Sequence, residues 1–485
     1  MVVTIASLAV LAAVPWPVYS LLALRQVRDW RPAEARKAAL GLLGYAAGVA
    51  GAWALLPQSL PYLAGAGALW LLGERIRAHN RWGAWSGLPP GSLSLAPHGP
   101  WTDEAYFRKG RERYGPVFKF TRYFKPCICV IGHERAAEIL GKKRDALGLP
   151  PLAMSHRIPK GYIRFMAPED REALRVILRE GLDCALNEAR MARLRAEIDR
   201  RMEAAVGAGA FEPRGFCHDL TTDLMLDVIY GVMPGDPAAP AFRAAIATLR
   251  RGEAERAGEP EIEAALVRLG ALARERADRG DGVLQAAVGA DPGRAEDETL
   301  LRNLAYITLL GSTDVGDFIV WALKILSEAP EWLADLRAAP DARLADMCGA
   351  TVKEILRLEQ SEFVIRRATE DLTIDGFRVP KGWMIVISTR ENHRDPEVYD
   401  APHAFRPARF LGGGRPVVGY RPLGAFDRTC LGAPIVDLVG TQVVRALARG
   451  IDLKVTGGDP RRYAAQHWRP NPAFRVAFAC RPKVA

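Results

Sequence analysis

The sequence predicts a mainly α-helical chain with small β-sheets, preceded by membrane-spanning helices, and three observations carry that reading. The first is the N-terminus. Residues 1–24 hold no charged side chain, Arg25, Arg28, Arg31, Arg36 and Lys37 follow as a basic block, and apolar runs return over 38–56 and 60–72. A spanning helix needs about 20 apolar residues, so the first two runs are long enough and the third is of marginal length. The second observation is residues 201–302, which read as largely helical with turns at 235–240 and 290–294. Arginines in stretches such as Arg190 to Arg201 and Arg250 to Arg279 are interleaved with Glu, as on solvated helix faces. The third is the stretch after Asp371, where short strands and turns dominate.

At 485 residues and 49% hydrophobic content the chain holds one large domain plus an appendage. Positive charge marks the cytoplasmic side of a membrane. Placing both basic blocks inside gives an outside N-terminus, one inward span, a hairpin from the next two runs and a cytoplasmic large domain. A cleaved signal peptide is the alternative for the first run, but no basic residue precedes that run and it is long for a signal core. Leu88-Pro-Pro-Gly91 reads as a stiff connection, because consecutive prolines cannot continue a helix. The division is therefore an anchor over 1–82, a Pro/Gly hinge over 83–94 and the large domain over 95–485. The seven cysteines form no disulfide framework and fit a reducing compartment. Cys127 and Cys129 share one face of a strand-like run, where packing accounts for them. A net charge of +10 without a basic and aromatic strip points away from nucleic acid.

The segment with most chemistry is Leu423-Gly-Ala-Phe-Asp-Arg-Thr-Cys-Leu-Gly432, which frames Cys430 between turn residues where a helix begins. A helix N-terminus and the nearby Arg428 both favour thiolate over thiol, so Cys430 is a candidate metal ligand. Upstream stand Arg406-Pro-Ala-Arg-Phe410, His393-Arg-Asp-Pro396 and Glu354-Ile-Leu-Arg357. In that order, and together with Tyr114-Gly-Pro-Val-Phe118, these segments resemble the cytochrome P450 family from about Gly91 to the C-terminus.

The resemblance implies the cytochrome P450 fold and haem b, with Cys430 as axial ligand of the iron. It implies a buried ion triad of Glu354, Arg357 and Arg409 that locks the segment under the haem. Arg175, Arg366 and Arg428 match the family's propionate-binding positions, where a planar guanidinium suits a carboxylate. Phe363, Val364 and Ile365 fall where the family lines its substrate pocket. The implied activity is a membrane-anchored monooxygenase of secondary metabolism, oxidising a hydrophobic lipid, terpenoid or polyketide-like molecule. It would use O2 and electrons from a separate ferredoxin or flavoprotein reductase, since no flavin or iron-sulfur domain is fused to the chain. A basic surface could steer an acidic donor.

Two departures from the family pattern stand out. The usual Gly of the cysteine loop is Phe426, which implies a different turn because a bulky residue resists the backbone angle Gly allows. In the helix around 305–326 the family's acid–alcohol pair is swapped: an ungapped register puts Thr313 at the acid position and Asp314 at the alcohol position. A register slipped by one restores Asp314 as the acid and leaves Val315 at the alcohol position. These departures motivate two alternatives: a haem-thiolate isomerase, dehydratase or peroxide-using enzyme that needs no reductase, and a non-catalytic haem-binding scaffold.

Overall fold

The computed structural model describes residues 2–15, 32–78, 87–93, 103–122, 125–149, 162–163, 166–255, 259–359, 362–412, 419–426, 429–457, 462–464, 468–470 and 473–480. The chain divides into two compact units, one of residues 1–155, 362–395 and 464–466, the other of 156–361, 396–463 and 467–485.

The first unit begins with three apolar helices, α1 (Val2–Ala13), α2 (Pro32–Leu55) and α3 (Leu60–Ala78). Leu11 of α1 is buried with Leu60 and Ala64 of α3, and the Tyr45 hydroxyl of α2 donates to the Leu11 carbonyl at 2.9 Å. Among the described residues one helix is long and apolar enough to cross a bilayer, Arg36–Leu55, with mean hydropathy 1.6. Of the expected span over 1–24 the described part is α1, a 12-residue helix about 18 Å long at 1.5 Å per residue. Residues 16–31 lie outside the described residues.

Next come α4 (Tyr106–Tyr114), β1 (Val117–Arg122), β2 (Lys125–Val130), α5 (His133–Gly141) and β3 (Leu147–Gly148), followed by β4 (Val364–Ala368), β5 (Leu372–Ile374), β6 (Phe377–Val379) and β7 (Met384–Ile387). Five strands form a mixed sheet in the order β1-β2-β7-β4-β3, with β2 and β7 parallel in the register Cys127↔Met384 to Val130↔Ile387. Strand alternation puts Cys127 and Cys129 on one face, where both are fully buried with Phe118, Phe120, Met384 and Val386. Burial pushes the Cys127 thiol up to about 12, so both cysteines act as apolar packing groups. Leu88-Pro-Pro-Gly91 is tied to β1. Lys119 donates its backbone N–H to Pro90 at 2.7 Å and its Nζ to Pro89 at 2.8 Å, and a Cβ on Gly91 would stand 2.2 Å from the Lys119 oxygen.

The second unit is helical: α6 (Pro168–Ala185), α7 (Glu188–Ala204), α8 (Pro213–Tyr230), α9 (Ala239–Glu255), α10 (Glu259–Arg276), α11 (Val283–Ala290), α12 (Glu298–Ser327), α13 (Pro330–Ala338), α14 (Asp341–Leu358) and α15 (Ala433–Arg449). Strands β8 (Ile451–Gly457) and β9 (Arg475–Cys480) pair antiparallel beside them. The 30-residue α12 runs through the centre. Asp297 caps it by accepting from the N–H groups of Thr299 and Leu300, satisfying donors that a helix start leaves open. Helix α8 is capped by Glu212 and stops at Gly231, whose φ of +62° suits a residue without Cβ.

Helices α12, α14 and α15 approach closely at Gly440, where a Cβ would lie 2.8 Å from Phe318 and 2.8 Å from Val352. Gly440→Val is expected to force these helices apart and to cost about 1–3 kcal/mol. A denaturant midpoint unchanged from the native chain would refute this.

Candidate active site

The candidate site lies in the helical unit, between the N-terminus of α15 and the middle of α12. From Asn303 to Leu326 every residue of α12 is buried except Ile307, Leu310, Gly311 and Asp314. The spacing i, i+3, i+4, i+7 is one stripe of a helix. An unburied stripe within a central helix marks the wall of a concavity, and it is apolar except for the carboxylate at its end. Asp314 is among the charges that act on the Cys430 thiol, so this end of the stripe faces the cysteine loop.

That loop is closed by the Cys430 N–H donating to the Leu423 carbonyl at 2.8 Å and by the Thr429 hydroxyl donating to the Phe426 carbonyl at 2.9 Å. Phe426 has φ +56°, the left-handed conformation. The expectation of a different turn is corrected in this respect, since the phenylalanine takes up the glycine-like angle. Its ring is half exposed and lies under the Arg421 guanidinium at 5.1 Å, a contact that offsets part of the strain. At this position Gly should be more stable than Ala by about 1 kcal/mol, the reverse of their order in a helix. Comparing the melting curves of Phe426→Gly and Phe426→Ala checks it; equal stability would mean that the loop does not hold the left-handed angle.

Cys430 precedes α15 by three residues and is an exposed residue. The protein atoms around the sulfur nonetheless push its pKa up by desolvation, and Asp314 adds to the push. The Gly432 N–H and Arg175 pull it down without prevailing. Of the groups expected to favour thiolate, the Gly432 N–H and Arg175 act in that direction, while burial and Asp314 outweigh them among the described residues. Arg175 of α6 donates Nη2 to the Thr429 carbonyl at 3.0 Å, which brings a guanidinium next to the cysteine. Arg428 lies outside the described residues.

Beneath the loop, Glu354 is fully buried and accepts from Arg357 Nε at 2.7 Å and Nη2 at 2.8 Å, from Arg409 Nε at 3.2 Å and from the Arg406 N–H at 2.8 Å. Arg357 also donates to the carbonyls of Pro402 at 2.7 Å and Ala404 at 3.1 Å. Tyr399 places its ring beside both guanidiniums. One carboxylate thus ties α14 to the segment 400–409.

Four candidates belong to the other unit. Arg366 lies on β4 and donates to the Ile365 carbonyl at 2.9 Å. Phe363 and Ile365 pack against the aromatic cluster of the sheet, with the Arg122 guanidinium 4.8 Å from the Phe363 ring, and Val364 pairs with Ile387. A cleft of about 550 Å³ elsewhere in the helical unit is bounded by Arg193, Arg200, Asp223 and Asp227. Its charges neutralise one another through pairs such as Arg193–Asp227 and Arg200–Glu197.

Thr313 is buried, at 5% exposure, on the flank of the stripe. Sequence reasoning misses Asp317, one turn on, which is buried and accepts from Arg214 at 3.0 Å beside His218 Nε2 at 2.9 Å. The available signal is an acid within the apolar run 315–323.

With this geometry in hand, comparisons with known proteins agree on one family. A family model described as cytochrome P450 matches residues 340–442, which include Glu354, Arg357, Arg409 and Cys430. A Mycobacterium tuberculosis protein bearing the name cytochrome P450 137 is 26% identical over 388 residues, 72% of this chain and 80% of the relative. An ent-kaurenoic acid oxidase of Hordeum vulgare is 30% identical over 163 residues, spanning 30% of this chain and only 33% of the relative. In fold, a retinoic-acid-bound cyanobacterial CYP120A1 superposes with TM-score 0.69 at 19% identity, covering 81% of this chain and 99% of the other. A zebra fish cytochrome P450 with abiraterone superposes with TM-score 0.65 at 17% identity, covering 77% and 98%.

Proposed function

Because the chain belongs to the cytochrome P450 family, whose members are monooxygenases that bind haem b through a cysteine thiolate, we propose that Cys430 is the axial iron ligand and that the protein oxidises a hydrophobic small molecule. The observation that carries this reading is the exposed Cys430, three residues before α15, with Asp314 at the end of the unburied stripe of α12 acting on its sulfur.

The residues present fit the haem. A thiol that can lose its proton to iron, an N–H aimed at the sulfur from Gly432, a guanidinium from Arg175 beside the loop and an apolar wall opposite are the donor set such a group requires. When bound, the haem supplies the redox-active iron that activates O2. The chain's own residues do the rest. Cys430 holds the iron and Arg175 holds the loop. Ile307 and Leu310 bind the apolar substrate and exclude water from it, which strengthens each charge interaction inside. Asp314 and Thr313 are the distal polar groups, and proton transfer there depends first on geometry. Arg366 and Arg428 are assigned to propionates by the family pattern, as are Phe363, Val364 and Ile365 to the substrate side. Glu354, Arg357 and Arg409 brace the segment 400–409 by the hydrogen bonds described above.

The substrate class proposed is a lipid, terpenoid or polyketide-like metabolite, and the name of the barley relative points to a terpenoid acid. Electrons come from a separate ferredoxin or flavoprotein reductase. The catalytic domain, 95–485, stands behind the hinge of 83–94 and an anchor within 1–82, facing the cytoplasm. The test is the carbon-monoxide difference spectrum of the reduced, detergent-solubilised protein, followed by turnover with donor proteins. A strongly red-shifted Soret band is expected. A band at the neutral-ligand position would refute Cys430 as a thiolate ligand, and full-rate product formation without reductase or peroxide would refute the monooxygenase.

A further inference from the structure

We propose that the cleft of about 550 Å³ bounded by α7, α8 and the loop after α8 is a binding site for an amphipathic organic anion, separate from the site at Cys430. The proposal stands independently of the haem reading above.

The cleft has apolar lining and a fixed wall. Leu194 of α7 and Leu224 of α8 line it, each 2% exposed. Met233-Pro234-Gly235 forms one wall, where the Asp236 N–H donates to the Met233 carbonyl at 2.9 Å and closes a turn. Arg276 of α10 pins this segment at both ends, donating Nη2 to the Gly231 carbonyl at 2.7 Å and pairing with Asp236 at 2.7 Å. Met233 is nonetheless 46% exposed. An unbranched thioether on the wall of a preformed cleft is an adaptable apolar contact, and the volume lies within the range of small-molecule sites.

The surrounding charge favours an anion. Arg193, Glu197 and Arg200 follow the spacing i, i+4, i+7 and so share one face of α7. Behind the paired charges of the lining stand further guanidiniums. Asp227 is shared by Arg190 and Arg193, Asp223 by Arg201 and Arg243, and Asp281 bonds to Arg190. Four guanidiniums thus share three carboxylates, which leaves an excess of positive charge.

Hydrogen-bond donors are also left over. Arg193 uses Nε and Nη2 on Asp227, and Arg200 uses Nε and Nη2 on Glu197, so Nη1 of each has no acceptor among the described residues. The Arg200 side chain is 59% exposed, and exposed pairs such as Arg200–Glu197 are weak enough to open for a competing anion. An open guanidinium edge takes a carboxylate, sulfonate or phosphate through charge-assisted hydrogen bonds. Leu194, Leu224 and Met233 take the apolar body. An uncharged ligand leaves the guanidinium edges bare, and an inorganic anion leaves the apolar lining uncovered.

The test follows the Met233 methyl by NMR in the full-length chain as isolated, labelled at its methionine methyls. Naphthalene-2-sulfonate is the probe, and loss of the signal in Met233→Leu assigns the resonance. A saturable shift of that resonance is expected. In Arg200→Gln the affinity should fall about tenfold or more, the scale of one lost charge-assisted hydrogen bond. Arg193→Gln should weaken binding as well, with Asp227 still held by Arg190. Neutral naphthalene-2-sulfonamide and inorganic sulfate should each bind about tenfold more weakly than the sulfonate. No saturable shift at Met233, or native affinity in Arg200→Gln, would overturn the proposal whether or not Arg193→Gln folds. A sulfonamide that binds as tightly as the sulfonate would overturn anion recognition, and sulfate that binds as tightly would overturn the role of the apolar lining.

Discussion

Cys430→Ser is expected to remove the red-shifted Soret band and to lower monooxygenase turnover by about a thousandfold or more, the scale on which loss of an essential group is read. As the proposed ligand the sulfur would make a bound haem iron electron-rich enough to favour O–O cleavage, whereas a serine hydroxyl at the same position neither ionises readily nor donates comparable density. The surrounding loop has little reason to collapse, because its closing bonds run from the Cys430 N–H to Leu423 and from Thr429 to Phe426 and do not use the side chain. Thermal stability of the haem-free variant should therefore equal that of the haem-free native chain. A variant that keeps both the band and the turnover would move the ligand elsewhere. Against a scaffolding role, host-pathway function should be lost with the band.

Glu354→Ala is expected to destabilise the chain by about 3–5 kcal/mol, because removing one partner of a buried ion network strands the others. Arg357 is the stranded group. It has 1% exposure, and the carbonyls of Pro402 and Ala404 and the Tyr399 ring, which it keeps, carry no charge to neutralise it. The Arg406 N–H would lose its acceptor as well. Segment 400–409, which leads toward the cysteine loop, would then lose its tie to α14, so haem content per chain should fall along with the denaturant midpoint. The double variant Glu354→Leu with Arg357→Met should recover part of the stability, since a buried pair replaced by apolar groups of similar volume is often neutral. If the double variant is as unstable as the sum of the singles, the pair is not the source of the effect.

The structure gives these two predictions different standing. The chemistry at Cys430 is local, and the sequence states it within ten residues. The network at Glu354 joins residues 55 apart in sequence. The Glu-x-x-Arg spacing alone is an ordinary intrahelical pair; only the closed hydrogen-bond set shows that the carboxylate also holds Arg409 and the Arg406 backbone.

By itself the sequence determined the mainly helical class and the apolar N-terminal region, which depend on composition and periodicity, and through the order of its short motifs it pointed to Cys430 and to the triad of Glu354, Arg357 and Arg409. Only the tertiary structure decided that Phe426 takes up the left-handed angle, that the Cys430 thiol is held above its ordinary pKa and that α1 stops at Ala13. It also decided that Asp314 ends the open stripe while Thr313 is buried, and that Asp317 meets His218 across 99 residues of chain. The reason is common to all of these. Backbone strain, desolvation and the pairing of buried charges are set by which atoms surround a group, and residues distant in sequence supply most of those atoms.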